Sequence, residues 1–306
     1  MQSILVRRGG ALGDFLAVVP LIHLLRLRFP GIRITVQCPA RHMPLMRMID
    51  GVDGIDEDAL PLWECSPGRG VPEQIRELWS VRDRAIVFAG LSSDLAVAVR
   101  SHFGDRACVM EPLPGESGKW VYRHVAGILV PPPTEAEWES LTPPLLRVRS
   151  GMSVSEPGRF VVHAGAGSSD KKWGAGRMRE ALGCVGAGVG SGVDWIVGPA
   201  DSRDEVLAVM DRDRDRILEG LPFECLIPTM SGAAAFLGND SGPAHLAGLL
   251  GLKGVVLFGP SDPLIWRPFG GTLVVRGFDA APEAVGALIE RGMRGCGPGR
   301  SGGALN

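Results

Sequence analysis

Ile4-Leu5-Val6-Arg7-Arg8-Gly9-Gly10-Ala11-Leu12-Gly13-Asp14 is a short apolar run that stops at a glycine-rich turn. An apolar-periodic segment from about Asp14 to Phe29 follows and predicts a helix. Pro30-Gly31 ends it, and Arg33-Ile34-Thr35-Val36-Gln37-Cys38 has the composition of a strand. Strand, glycine turn, helix and strand in that order begin a parallel α/β sheet. Ala85-Ile86-Val87-Phe88 and Ala107-Cys108-Val109-Met110 supply further strands of the same sheet.

A second pattern of this kind starts at Arg159-Phe160-Val161-Val162-His163. Its later strands are expected at Trp195-Ile196-Val197, Ala235-Phe236-Leu237, Val255-Val256-Leu257-Phe258 and Thr272-Leu273-Val274-Val275. Between the two patterns, Val130 through Pro144 and Ser155 through Gly158 are rich in proline and polar residues, the composition of a linker. The reading is therefore α/β, with a first domain over residues 1–150 and a second over 151–281. A terminal helix occupies 282–294, and a Gly/Ser/Pro-rich tail over 295–306 is expected to be disordered.

The whole-chain numbers fit this. The 306 residues give room for two domains with real cores, and 45% hydrophobic with 22% charged is ordinary for globular chains. A formal charge of −2 offers no basic field for nucleic acid. Six cysteines without a Cys-x-x-Cys pair argue against a disulfide framework or a zinc site and fit a reducing compartment. The apolar run after Met1 is too short for a signal peptide. Glycines and Lys253 interrupt the apolar stretch Ala244–Phe258, which predicts a buried helix and strand, not a membrane span. A soluble, cytoplasmic protein is expected.

Three segments carry chemistry, each where a strand gives way to a turn or helix, the edge at which open α/β sheets hold ligands. In the first, Gly10 and Gly13 let the backbone turn sharply beside Asp14. A carboxylate there can serve as a general base for a hydroxyl, or simply cap the helix. The second is His163-Ala164-Gly165-Ala166-Gly167-Ser168-Ser169-Asp170-Lys171-Lys172-Trp173. Its small residues let backbone amides face a phosphate while a lysine adds charge; equally, it is a solvated loop anchored by Trp173. Only four lysines occur in the chain, so a lysine pair in a motif is conspicuous. The third, Gly238-Asn239-Asp240-Ser241-Gly242-Pro243-Ala244-His245-Leu246-Ala247, places hydroxyl and amide donors at a helix N-terminus, an anion site by geometry and dipole. His245 lies about one turn inside, either packed or functional.

Three lookalikes are set aside. Gly186-Ala187-Gly188-Val189-Gly190 resembles part of a dinucleotide fingerprint but precedes a strand instead of following one. Asp211-Arg212-Asp213-Arg214-Asp215-Arg216 contains Asp-x-Asp, yet alternating signs point to a solvated surface segment, not a metal site. Asp262 is expected to be a turn residue.

Together the three segments resemble glycosyltransferase family 9, the ADP-heptose:lipopolysaccharide heptosyltransferases. The shared features run in order: Arg8, Gly10 to Asp14 and Pro20; His163, Gly165 and Lys171-Lys172-Trp173; Asn239 to Ala247; and Phe258-Gly259-Pro260-Ser261-Asp262-Pro263. They span roughly residues 3 to 275. The resemblance implies a GT-B fold, two Rossmann-like domains facing across a cleft, with acceptor on the first and nucleotide sugar on the second. It implies an inverting transfer without metal or cofactor, from a donor such as ADP-heptose to a glycan or glycolipid acceptor, with peripheral contact at the inner membrane and no nucleic-acid partner. Asp14 would be the base, Lys171, Ser241, Gly242 and His245 would hold the diphosphate, and Asp240 would contact the donor sugar. The terminal helix would pack back on the first domain. Ala164 departs from the family's usual proline, and residues 50 to 85 carry no acceptor motif. The alternatives are a transferase using another nucleotide sugar or a non-catalytic sugar-nucleotide-binding relative.

Overall fold

The computed structural model describes residues 1–294 apart from 67, 69, 149–155, 157, 187–191 and 200. The tail expected to be disordered, most of the Gly186–Gly190 run and part of the linker thus lie outside the described residues.

Two parallel sheets organise the chain. β1 (Ser3–Arg8), β2 (Arg33–Cys38), β3 (Val52–Asp56), β4 (Arg84–Phe88) and β5 (Ala107–Met110) stand in the order β3-β2-β1-β4-β5. β6 (Phe160–His163), β7 (Val193–Val197), β8 (Arg216–Glu219), β9 (Ala235–Asn239), β10 (Gly254–Phe258) and β11 (Leu273–Gly277) stand in the order β11-β10-β9-β6-β7-β8. Every neighbouring pair is parallel. Helices cover both faces, so central strands such as Ile4–Val6 and Phe160–Val162 are apolar and buried throughout. Both orders are Rossmann-like, and each reverses direction once, beside β1 in the first sheet and beside β6 in the second. Crossovers leave in opposite directions there, which opens a crevice at the carboxyl ends of the strands.

Four expectations need revision. The helix drawn from Asp14 to Phe29 is two, Leu12–Leu16 and Val18–Arg28, broken at Ala17. Pro20 has no N–H to give the Leu16 carbonyl and its ring crowds that oxygen, so the break falls one turn before it. Strands β3 and β8 were not foreseen. Both lie at sheet edges, where charged residues are tolerated and the apolar pattern fades.

The linker region contains a helix, Glu135–Ser140, started by a Thr134/Glu137 capping box. It is tied to both domains. Glu137 pairs with Arg28 at 2.6 Å, the Leu145 N–H donates to the Leu249 carbonyl at 2.8 Å, and the Trp120 indole donates to the Arg267 carbonyl at 2.8 Å. The terminal helix Pro282–Arg294 packs on the second domain, not the first. Val285 and Ile289, one turn apart, bury against Met178, Ala181 and Leu182 of the Ala175–Gly183 helix. Gly286 lets the two backbones approach, since a Cβ there would stand 2.5 Å from the Ala181 carbonyl oxygen.

The alternating charges of 211–216 are structural. Asp215 is buried and accepts hydrogen bonds from the Val193 and Asp211 N–H groups and the Trp195 indole, and pairs with Arg179. Arg216 shares the buried Asp194 with Arg159. One apolar core runs through both domains, joining Ile4, Val6 and Leu21 to Val161, Phe236 and Leu246.

Candidate functional site

In the first domain the crevice opens between the ends of β1 and β4. The chain turns at Gly10, whose φ of +96° is open to glycine and strained for other residues. A Cβ there would also meet the Asp14 carboxylate at 2.8 Å. The Gly10 carbonyl is held by Arg41 at 2.8 Å and by His42 at 3.2 Å, and the His42 ring stacks on Phe15. Asp14 is the third residue of its helix, not the cap, and its Oδ2 accepts the Ala11 N–H at 3.0 Å. Capping and exposure coexist, because the side chain remains 27% accessible.

Arg8 fixes the base of this arrangement. It is 1% exposed, donates from Nε to the Asp14 carbonyl at 2.9 Å and from Nη1 to the Pro112 carbonyl at 2.7 Å. Its Nη2 stands 3.7 Å from Asp14 Oδ1. Burial pushes the guanidinium down to about 10, the Asp14 charge opposing, so Arg8 remains a cation. Beside them a cavity of about 440 Å³ is lined by Arg8, Gly10, Phe88, Gly90, Ser93 and Leu113. A larger one, about 680 Å³, opens where Ile4, Arg84 and Ile86 lie and touches none of these residues.

In the second domain the crevice lies between the ends of β6 and β9. Asn239 ties the two loops together: its amide donates to the Ala164 carbonyl at 2.8 Å, and its Oδ1 accepts the Trp173 N–H at 3.0 Å. Trp173 is buried, its indole donates to the Phe278 carbonyl, and Arg177 lies over its ring. It anchors the loop, and the loop presents Lys171, whose Nζ is 3.1 Å from Asp240 Oδ2. Lys171 is one-third exposed and Asp240 nearly buried, so the pair borders open space. Ser241 precedes the eight-residue helix Gly242–Leu249; Pro243 has no N–H and the Ala244 and His245 amides donate to the Ser241 carbonyl, so the Gly242 N–H is the helix-start amide left to face a ligand.

The two crevices meet at glycine. A Cβ on Gly13 would lie 3.1 Å from His245 Cδ2, and one on Gly242 would lie 2.8 Å from Leu12 Cβ. The helix bearing Asp14 therefore abuts the helix bearing His245, and the charges of Asp14, Asp240 and Lys171 all reach the His245 ring. His245 is buried, and burial pushes its imidazole down, with Asp240 and Asp14 opposing and Lys171 assisting. The Tyr122 hydroxyl stands 2.7 Å from His245 Nδ1. Burial pushes that phenol far above its ordinary range, so Tyr122 donates, and the neutral His245 carries its proton on Nε2.

Tyr122 was not anticipated. Its one signal is compositional, being the chain's single tyrosine. Asp262, read as a turn residue, caps the short helix Pro263–Trp266 through the Leu264 N–H at 2.8 Å.

Comparison with known proteins bears on the fold. The family model described as Glycosyltransferase family 9 (heptosyltransferase) matches residues 159–284. Lipopolysaccharide heptosyltransferase 1 of Salmonella typhimurium is 30% identical over 119 residues, a stretch covering 39% of this chain and 37% of that protein. Among solved structures, E. coli ADP-heptose lps heptosyltransferase II superposes with a TM-score of 0.73 at 20% identity, covering 95% of this chain and 98% of the other. The E. coli heptosyltransferase WaaC with ADP gives 0.71 at 15% identity, covering 95% and 99%. Two parallel-sheet domains of this topology, alike in fold to these enzymes from end to end, make the architecture GT-B. Residues 159–284 match the glycosyltransferase family 9 (heptosyltransferase) model, and the chain resembles that family over this stretch.

Proposed function

We propose that the protein is an inverting glycosyltransferase that moves a sugar, heptose from ADP-heptose, to a hydroxyl of a lipopolysaccharide-core or related glycan. The observation that carries this is the meeting of Gly13 with the His245 helix. It brings a partly exposed carboxylate, Asp14, toward Lys171, Ser241 and the Gly242 N–H, groups suited to hold an anion. The names of the matched proteins, with lipopolysaccharide, ADP-heptose and ADP in them, support the choice of donor and acceptor.

In the reaction the acceptor hydroxyl sits in the cavity beside Asp14 and gives its proton to that carboxylate as its oxygen attacks the anomeric carbon. The bond from that carbon to the diphosphate breaks on the opposite face. Negative charge grows on the departing diphosphate, where Lys171, the Ser241 hydroxyl and the Gly242 N–H stabilise it; such preorganised donors supply the larger share of catalysis. Those groups provide the counter-charge, so the proposal includes neither a metal ion nor a cofactor. Asp240, held by Lys171, faces the donor sugar. A lipid-anchored acceptor would bring the protein to the inner face of the cytoplasmic membrane as a peripheral visitor. No helix among the described residues is long and apolar enough to cross a membrane.

The test is a thermal-shift panel with ADP, UDP, GDP, CDP and NAD. A ligand at about a hundred times its dissociation constant adds roughly 2.7 kcal/mol of stability. Selective stabilisation by ADP is expected, followed by transfer from ADP-heptose. Selectivity for UDP or GDP would keep the reaction and change the sugar. A response to NAD alone would overturn the transferase reading.

A further inference from the structure

Asp201 belongs to none of the three motifs, yet it reaches the anion site. It lies just beyond β7, and its Oδ2 accepts the Gly198 N–H at 2.7 Å. Its carboxylate occupies the space that a side chain at position 165 would need, which explains why that loop position is glycine. Burial alone pushes this carboxyl up, but the hydrogen bond and charge of His163, the Gly198 N–H and the charge of Lys172 outweigh it and hold it below the ordinary range. Asp201 is a carboxylate and can only accept.

His163, the last residue of β6, is buried between Asp201 and Ser241. Its Nε2 is 3.0 Å from Asp201 Oδ2 and its Nδ1 is 3.0 Å from Ser241 Oγ. The Ser241 hydroxyl in turn donates to the Asn239 carbonyl at 3.0 Å. A hydroxyl has one proton; when that proton points to the carbonyl, its oxygen is free to accept from Nδ1–H. Nε2 must carry a proton for Asp201. Both ring nitrogens are then donors, which is the imidazolium.

We infer that Asp201 and His163 form a charge relay behind the start of the Gly242–Leu249 helix: a buried imidazolium that makes Ser241 Oγ an acceptor on its protein side. The single Ser241 proton is then free to swing from the Asn239 carbonyl to a phosphate oxygen of a nucleoside diphosphate. Both are positioning residues, acting on the ligand through Ser241, and the inference rests on the proposed function only in taking that anion to be a diphosphate. Of the other charged groups nearby, Lys172, on the loop after β6, acts on Asp201, and Asp240, just before Ser241 in the chain, is itself paired with Lys171. When the imidazolium loses its Nδ1 proton, the Ser241 hydroxyl turns inward to donate to that nitrogen. The phosphate then loses its donor, and affinity falls as pH rises.

Calorimetric titration with ADP between about pH 6 and pH 9 reads this directly, spanning the range in which imidazoles titrate. In the wild type the affinity should drop roughly 10- to 100-fold as pH rises over that range, the worth of one charge-assisted hydrogen bond. His163→Gln should bind at the weak limit throughout and retain only the ligand's own phosphate ionisation. Asp201→Asn removes the counter-charge, so its affinity should fall at lower pH than the wild type. A merely structural Asp201 would weaken binding evenly without moving that midpoint, and this result would overturn the relay. Nitrogen-15 spectra of the ligand-free wild type, with the His163 signals identified by their loss in His163→Gln, provide a second check. Two protonated ring nitrogens near neutral pH are expected; a bare Nδ1 would refute the inference whatever the variants do. If the wild type binds no nucleoside diphosphate, the proposed function fails, while those spectra still decide the imidazolium.

Discussion

Gly242→Ala tests whether the contact between the two helices sets the catalytic distance. The new Cβ would stand 2.8 Å from Leu12 Cβ, 2.9 Å from its Cδ2 and 3.0 Å from its Cγ. Rotating the leucine relieves the outer two atoms but not the Cβ, which is fixed to the backbone. Carbon atoms rest at about 3.5–4.0 Å, so the helices must separate by roughly 0.7–1.2 Å. That movement carries Asp14 away from the anion site while leaving each half intact. A misplacement of about 1 Å costs on the order of 100-fold in rate, equivalent to about 2.7 kcal/mol on the barrier. The expected result is a loss of that size in kcat, followed as nucleotide release with both substrates saturating, and ADP affinity close to wild type by calorimetry. A kcat within a few-fold of wild type would refute the reasoning. So would a loss of ADP affinity as large as the loss in kcat, because the methyl would then be acting on the anion site itself.

Asp14→Asn removes the base and should lower kcat by about 10²–10⁴-fold with the ADP thermal shift retained; near-normal turnover would remove Asp14 from the mechanism. Lys171→Ala should weaken ADP about 10- to 100-fold in calorimetry, the loss of a charged hydrogen bond, and unchanged affinity would argue against its role. Tyr122→Phe leaves the buried His245 Nδ1 without its donor, at about 1–3 kcal/mol, and should lower the melting temperature by several degrees; an unchanged melting curve would contradict that bond. Asp194→Asn strips the buried carboxylate from Arg159 and Arg216 and should cost about 3–5 kcal/mol in urea unfolding near neutral pH. Burial pushes the Asp194 carboxyl up, but its bonds to the two arginines hold it below its ordinary 3.8. Its contribution is therefore complete above that value and disappears as pH falls through the lower, folded one, so wild type and variant should converge in acid. A gap that persisted at low pH would show that the carboxylate charge is not what matters.

Much of this was legible in the chain because central parallel strands must be apolar on both faces. Ile4–Val6, Phe160–Val162 and Val255–Phe258 announce themselves, and the glycines that follow β1 and β6 mark the crevices. The edge strands Val52–Asp56 and Arg216–Glu219 were silent, since an edge tolerates charge on its open side. Asp215 shows the same limit: four hydrogen-bonding partners converge on it, three of them from distant segments, and sequence alone gives only alternating signs. The loops bearing Asp14, Lys171 and Asp240 could be picked out by residue type. Their supports could not. Arg8 acts from within a strand, Tyr122 comes from a segment 123 positions from His245, and Asp201 reaches His163 from 38 positions away. Such pairings follow from the folded path, and no local pattern encodes them.

The stretch from Trp120 to Leu145 has a consequence for anyone recombining this protein with its relatives. The Trp120 indole stacks on Phe269 and bonds to the Arg267 carbonyl, Pro143 sits against Gly251 and Gly270, and the Leu145 amide bonds to Leu249. By position this stretch belongs with the first half, but it is fitted to the second. A crossover placed at the proline-rich seam would join a foreign strap to a surface cut for another, exposing aromatic rings and orphaning backbone carbonyls. Exchanging residues 267–270 together with the first half would keep each ring with its shelf. The modular boundary for exchanging the first half is therefore a discontinuous set of residues, and not a single point along the chain.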